Sequence, residues 1–172
     1  MTVEHPFSRR VPLCSGPASS SPFDAEATAA ERAGLARQWE ILGCDELVVA
    51  GEIVTEDEAF RCRGVVRGRV TQACVVTFEP VTAVVEASFE RLLVVGGTPT
   101  TECDVEIDPD AEDIDHLDGP VVDIGEIAAE ELALGLDPYP RAPDADGALA
   151  ATAGDADVTT PFAALARRRA DA

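Results

Sequence analysis

The stretch Phe60-Arg-Cys-Arg-Gly-Val-Val-Arg-Gly-Arg-Val-Thr-Gln-Ala73 decides the fold class. Side chains of a β-strand point alternately to its two faces, so residues two apart share a face. Phe60, Cys62, Val66 and Val70 therefore line one side, and Arg61, Arg63, Arg67 and Arg69 line the other. Gly64 and Gly68 fall on the apolar side, where a missing side chain permits a bulge or the close approach of a helix. The run reads as a strand with one side toward a core.

Its neighbours extend it into a sheet. Leu47 to Thr55 is a β-like run, joined to it through the polar Thr55-Glu-Asp-Glu-Ala59. After Cys74-Val-Val-Thr-Phe-Glu-Pro80 a third run goes from Val81 to about Val95, and Gly96-Gly-Thr-Pro99 stops it. The three predict an antiparallel meander. Upstream, His5 to Leu13 reads as a short edge strand, followed by a Ser/Pro/Gly loop through Phe23. Thr28-Ala-Ala-Glu31 is a capping box, in which hydroxyl and carboxylate satisfy orphan N–H groups at a helix start. Leu35, Trp39 and Leu42 supply that helix with an apolar stripe. Downstream, Asp123-Ile-Gly-Glu126 repeats the capping logic, and Ile124, Ile127, Ala128, Leu132 and Leu136 lie mostly on one side of the helix it opens. Pro138 and Pro140 close it.

The fold class is thus α+β: an antiparallel, curved or barrel-like sheet with helices near 28–39 and 124–136. One domain over residues 1–140 is expected, with an acidic loop at 98–120 inside it. Residues 141–159 are Ala, Asp, Gly and Thr with almost nothing to bury, and read as a flexible linker. Residues 160–172 read as a docking tail whose short helix starts with Thr160 as cap and Pro161 in first position.

Composition excludes several function classes. The 172 residues carry 33 acids and 13 basic residues, all Arg, for a net charge of −20. Without Lys there is no Walker phosphate loop and no Schiff-base chemistry. A globally basic nucleic-acid binder is excluded by the sign of the charge. The longest charge-free run, Val11 to Phe23, is 13 residues of mainly Pro, Ser and Gly, too short and too polar to span a membrane. The N-terminus lacks a basic patch and apolar core, so a cytoplasmic protein is expected. The charge is also uneven: −5 over residues 1–95, −17 over 96–160 and +2 over 161–172. Nine carboxylates crowd into Glu102–Asp118 without one base, a segment too self-repelling to pack tightly.

No catalytic arrangement and no cofactor site emerges. Cysteines at 14, 44, 62, 74 and 103 form no Cys-x-x-Cys pair, and the two histidines, His5 and His116, are far apart. Spacing therefore offers no zinc site, and reduced cysteines packed as small hydrophobes are expected. The acidic run lacks the glycine and ligand spacing of a calcium loop. A metal-dependent RNA-processing enzyme built on that run is the contrasting reading; it needs carboxylates held on rigid elements.

Two features point to contacts instead. The guanidiniums of Arg61, Arg63, Arg67 and Arg69 are spaced to track phosphates, or to pair with Glu52, Glu56, Glu86 and Glu90 on adjoining strands. In the tail, Phe162 and Leu165 share one side of a helical turn and Arg167, Arg168 and Arg169 follow, as in a tethered docking peptide. The tail alternatively folds back on its own domain.

Four stretches resemble the YceD family of bacterial and plastid proteins linked to accumulation of large-subunit ribosomal RNA. They are His5-Pro-Phe-Ser-Arg9, Gln72-Ala-Cys-Val-Val-Thr-Phe-Glu-Pro80, Val122-Asp-Ile-Gly-Glu-Ile-Ala-Ala-Glu-Glu-Leu-Ala-Leu134 with Asp137-Pro-Tyr-Pro140, and Thr160-Pro-Phe-Ala-Ala-Leu-Ala166. The likeness is greatest to the alphaproteobacterial branch. It implies a part in ribosome assembly and no reaction. The expected partners are a large-subunit ribosomal RNA precursor, a basic large-subunit ribosomal protein, or both. Many members carry Cys-x-x-Cys in the central turn; here the second position is Thr77 and no Cys lies between Asp137 and Ala145, so a zinc site is not implied for this chain.

Overall fold

The computed structural model describes residues 5–14, 20–57, 59–96 and 114–153. They fall in two compact units: one holds the described residues up to Gln72 together with those from Thr82 to Pro138, the other Ala73–Val81 and the chain from Tyr139.

The first unit is built on a curled five-stranded sheet in the order β2-β3-β4-β5-β6. These strands are β2 (Ser20–Glu26), β3 (Gly43–Glu56), β4 (Ala59–Ala73), β5 (Pro80–Val95) and β6 (Ile114–Leu117). The alternation read in β4 sets its packing: Phe60, Cys62, Val66 and Val70 are buried, as are Leu47, Val49 and Ile53 of β3. β3 and β4 pair antiparallel, with Glu52 opposite Arg63 and Val48 opposite Arg67. Thr71 and Thr82 meet hydroxyl to hydroxyl at 3.0 Å, while Arg61 reaches Glu90 near the other end, so β4 and β5 run in opposite directions.

Four expectations are corrected here. The sheet is mixed, because β6 pairs parallel to β5, Leu92 opposite Ile114. Parallel neighbours need a crossover of about a dozen residues or more, which the span from Gly96 to residue 113 supplies. Within the expected acidic loop, Ile114–Leu117 is a strand; its Asp115 carboxylate is countered by Arg91 at 3.4 Å. The expected loop through Phe23 contains β2, which pairs residue for residue with β3 from Ser20 opposite Val54 to Glu26 opposite Val48. Pro22 is tolerated there because β2 is an edge strand. Leu42 lies 59% exposed, because the first helix, α1 (Ala29–Gln38), stops before it and Glu40 turns the chain at φ 55°.

The helix starts form as read. Thr28 accepts from the Glu31 N–H and Glu31 returns a bond to the Thr28 N–H, closing the capping box. The second helix, α2 (Ile124–Leu134), begins at Asp123, which accepts from the N–H groups of Gly125 and Glu126. It ends at Gly135, before Leu136. Gly68 marks where α2 meets the sheet: a Cβ there would lie 2.6 Å from Leu132 Cδ2. The glycine is an absence that the helix fills.

The opening motif ties these pieces together. β1 (Arg10–Pro12) pairs with β7 (Val121–Asp123) as a separate two-stranded sheet. Phe7 is fully buried, and the Arg9 guanidinium sits 4.8 Å from its ring centroid. Arg9 clasps Glu31 with two bonds of 2.7 and 2.9 Å. Arg9 pairing, with the Thr28 bonds, lowers Glu31 to about 2. A carboxylate depressed in the folded state stabilises above its ordinary pKa near 4.5 and loses that contribution as pH falls toward 2. Stability is therefore expected to drop through that window by about 1–2 kcal/mol, after allowance for solvent screening of a partly exposed pair. Glu31→Gln should flatten the drop, as chemical denaturation at a series of pH values will show.

In the second unit, the turn after β4 closes on itself through Cys74 N–H to Glu79 O at 2.8 Å and Phe78 N–H to Cys74 O at 3.0 Å. Cys74, Ala142 and Ala145 form a small core with Val76 and Val81 against it. The expected linker is corrected in part: Ala145–Ala153 forms a helix, α3. Alanine has the highest helix propensity, and Ala145 buries against the cysteine core. Residues 154–159 and the tail 160–172 lie outside the described residues. No helix among the described residues is long and apolar enough to cross a membrane.

Candidate functional site

The four strand arginines share the solvent side of β4, but their surroundings divide them. Arg61 bonds Glu56 at 2.9 Å and Glu90 at 2.9 Å. Arg63 bonds Glu52 through Nε at 2.8 Å, and Ser20 donates to the other oxygen of the same carboxylate. The Ser20 hydroxyl and the Arg63 guanidinium hold Glu52 below the usual carboxylate range, and Arg61 does the same for Glu56. Arg67 and Arg69 are exposed and ion-pair with no described residue. Register accounts for part of the split: Arg63 faces Glu52 across the ladder and Arg67 faces Val48, but Arg61, opposite Val54, reaches past it to Glu56 and Glu90, and Arg69 stands opposite Glu46 without an ion pair to it.

Arg67 does not stand on a basic surface. A shallow depression of about 400 Å³ beside it is lined by Asp24, Glu26, Val48, Val65 and Glu86 among others. Three carboxylates against one guanidinium make that site better suited to a cation than to a phosphate. Phe162, Leu165, Arg167, Arg168 and Arg169 lie outside the described residues.

His5 and His116 each place Nδ1 against a backbone carbonyl, of Phe7 at 3.1 Å and of Gly96 at 3.3 Å. Arg91, on β5, draws in Asp115, Glu130 and Glu131, the last at 2.8 Å, and joins β6 and α2 to the sheet. Among the described residues no group of three or more His, Cys, Asp or Glu is placed to hold a metal ion. Cys14, Cys44, Cys62 and Cys74 are free thiols; Cys103 lies outside the described residues. Burial pushes Cys62 up to about 11 and raises Cys44 as well, so both stay protonated, while Cys14 is exposed.

Cys74 differs. The Thr77 hydroxyl, then the N–H groups of Ala142, Thr77 and Val76, bring its thiol down to about 7. The Ala142 N–H donates at 3.3 Å and those of Val76 and Thr77 at 3.4 Å. Such a cradle suits a thiolate. It does not suit zinc, because the position where a second thiolate would stand is the Thr77 hydroxyl and residues 137–145 offer no further thiol. The sequence marks Cys74 only as a turn residue; its partners are the Thr77 hydroxyl and three backbone N–H groups, one of them 68 residues away.

The turn, β5 and α2 fall inside the region matched by the family model described as large ribosomal RNA subunit accumulation protein YceD, residues 62–167, more than half of the chain. The chain belongs to the YceD family. That membership implies a role in large-subunit ribosomal RNA accumulation. The YceD match begins at Cys62 and leaves out the opening motif, whose Ser8 and Arg9 bond Asp123 of the matched part, and α1, whose Glu31 is held by Arg9. No curated protein and no solved structure matches the chain.

Proposed function

We propose that this protein is a non-enzymatic factor that supports accumulation of large-subunit ribosomal RNA by binding a basic large-subunit ribosomal protein. The observation that carries this reading is the charge: −20 overall, with two of the four strand arginines already neutralised by Glu52, Glu56 and Glu90. Ribosomal RNA is itself a dense polyanion, so an acidic surface is repelled by it and attracted to its cationic protein partners. Bound to such a partner, the acidic surface would shield it until it meets its place on the RNA.

A second reading, direct contact with precursor RNA, is favoured by one observation: Arg67 and Arg69 are exposed and free of ion pairs with described residues. In vivo crosslinking followed by mass spectrometry and RNA sequencing separates the two. The protein-partner reading expects a basic ribosomal protein as the main adduct, unchanged in Arg67→Ser/Arg69→Ser. Recovery of large-subunit precursor RNA that disappears in that double variant would overturn it. Metal-dependent cleavage of precursor RNA by the purified protein, lost on neutralising Glu102–Asp118, would overturn the non-enzymatic part.

A further inference from the structure

The chain has few aromatic residues and uses them unevenly. Phe7, Phe60 and Phe89 are buried in the first unit, and Phe23 and Trp39 are half-buried there. The two described aromatics of the second unit are the reverse: Phe78 is 79% exposed and Tyr139 73% exposed. Phe78 also sits at φ 61°, a left-handed backbone conformation that is unusual for a bulky side chain and that glycine adopts freely. The fold gains neither burial nor backbone ease from a phenylalanine there.

Around it the turn is acidic and apolar. Val75, itself exposed, donates its N–H to the Pro140 carbonyl at 2.9 Å, which sets the Tyr139–Pro140 step alongside the turn. Glu79 and Asp144 are exposed. Arg141, the one base among the described residues of this unit, is held by Asp146 at 2.5 Å. An exposed aromatic ring beside uncompensated carboxylates attracts a cation twice over, through the ring face and through charge. Buried aromatic anchors within a polar rim are also the usual centres of protein interfaces. Nucleic-acid bases stack on aromatics too, but here their phosphates would face Glu79 and Asp144 with no free cation among the described residues of this unit to receive them.

We infer that the Cys74–Glu79 turn is a docking surface for an arginine- or lysine-bearing segment of a protein partner, with Phe78 as its apolar anchor and Glu79 and Asp144 as its acidic rim. The inference rests on the proposed function and locates it on the molecule. The test uses the full chain, a labelled short peptide alternating Arg and Leu, and a labelled oligouridine, read by fluorescence anisotropy. At about 0.3 M salt, diffuse surface charge is largely screened and a local site persists.

The wild type is expected to hold the peptide, and Phe78→Gly to weaken it about tenfold or more, since truncating a central aromatic removes most of a small interface's affinity. Glycine accepts the φ of 61°, so the melting temperature should stay level or rise. Glu79→Gln/Asp144→Asn should weaken binding and flatten its salt dependence. A wild type that binds the peptide and a Phe78→Gly variant that binds it equally well would overturn the site and leave the partner class standing. Absence of peptide binding by the wild type would overturn both. Oligouridine held by the wild type and released by Phe78→Gly would make the occupant RNA. A clear fall in melting temperature would make Phe78 a structural residue.

Discussion

Asp123→Ala is expected to lower the stability of the first unit by about 2–4 kcal/mol, the sum of a lost helix cap and of partly buried donors left without an acceptor. One carboxylate here serves three segments. Its Oδ1 accepts from the N–H groups of Arg9 at 2.7 Å, Gly125 at 3.0 Å and Glu126 at 3.2 Å, and its Oδ2 accepts from the Ser8 hydroxyl. Asp123 ends β7, caps α2 and faces Arg10 across the two-stranded ladder, so its loss frees the N-terminal segment and the helix start together. Burial raises its pKa, but the Ser8 hydroxyl and the three N–H donors outweigh that and leave it below the ordinary value of 3.8. Its contribution is thus complete above that pH and fades below it. Asp123→Asn keeps an acceptor oxygen and should recover most of the loss at neutral pH while removing the acid dependence. Denaturant unfolding of the three proteins at neutral and acid pH decides the matter. If Ala and wild type unfold together, the cap and the opening motif carry no cooperative weight.

Much of this architecture is visible in single residues. The alternation of Phe60 to Val70 marks the central strand, and Thr28 and Asp123 mark both helix starts, because these signals are local. Gly68, read as a place for close helix approach, meets Leu132. What escapes the sequence is long-range. β2 carries only Phe23 and Ala25 toward the core, and it is a strand because β3 offers a free edge. β6 runs parallel because of a crossover whose course no pattern records. The arginine stripe is legible as one face, yet which guanidiniums pair among the described residues, Arg61 and Arg63 but not Arg67 and Arg69, depends on side-chain placement across strands that no local pattern records. The cradle around Cys74 depends on Ala142 arriving from the far end of the chain. An exposed aromatic in a turn has no periodic signal at all; Phe78 is distinguished only by its exposure and its φ.

The second large effect is expected at the joint between α2 and the sheet. Leu132 is fully buried, and Leu132→Ala should cost about 2–5 kcal/mol through lost transfer energy and the cavity left behind. Gly68→Val acts from the other side. Its Cβ would press on Leu132 Cδ2 at 2.6 Å and Cδ1 at 2.9 Å, with the Glu46 carbonyl at 3.2 Å limiting retreat, so it should cost about 1–3 kcal/mol by overpacking. The two variants push opposite ways on one volume. Combined, the valine methyls occupy the space that leucine vacates, and the double variant should be more stable than the sum of the single losses predicts, by about 1 kcal/mol or more. Residues in direct contact couple in this way; distant ones add. A strictly additive result would mean that α2 shifts bodily on the sheet and does not register on Gly68. Neither substitution changes a charge, so at temperatures where the variants stay folded, association with a basic partner should match the wild type. A loss of binding there would place the partner's site on α2 and away from the acidic turn at Phe78.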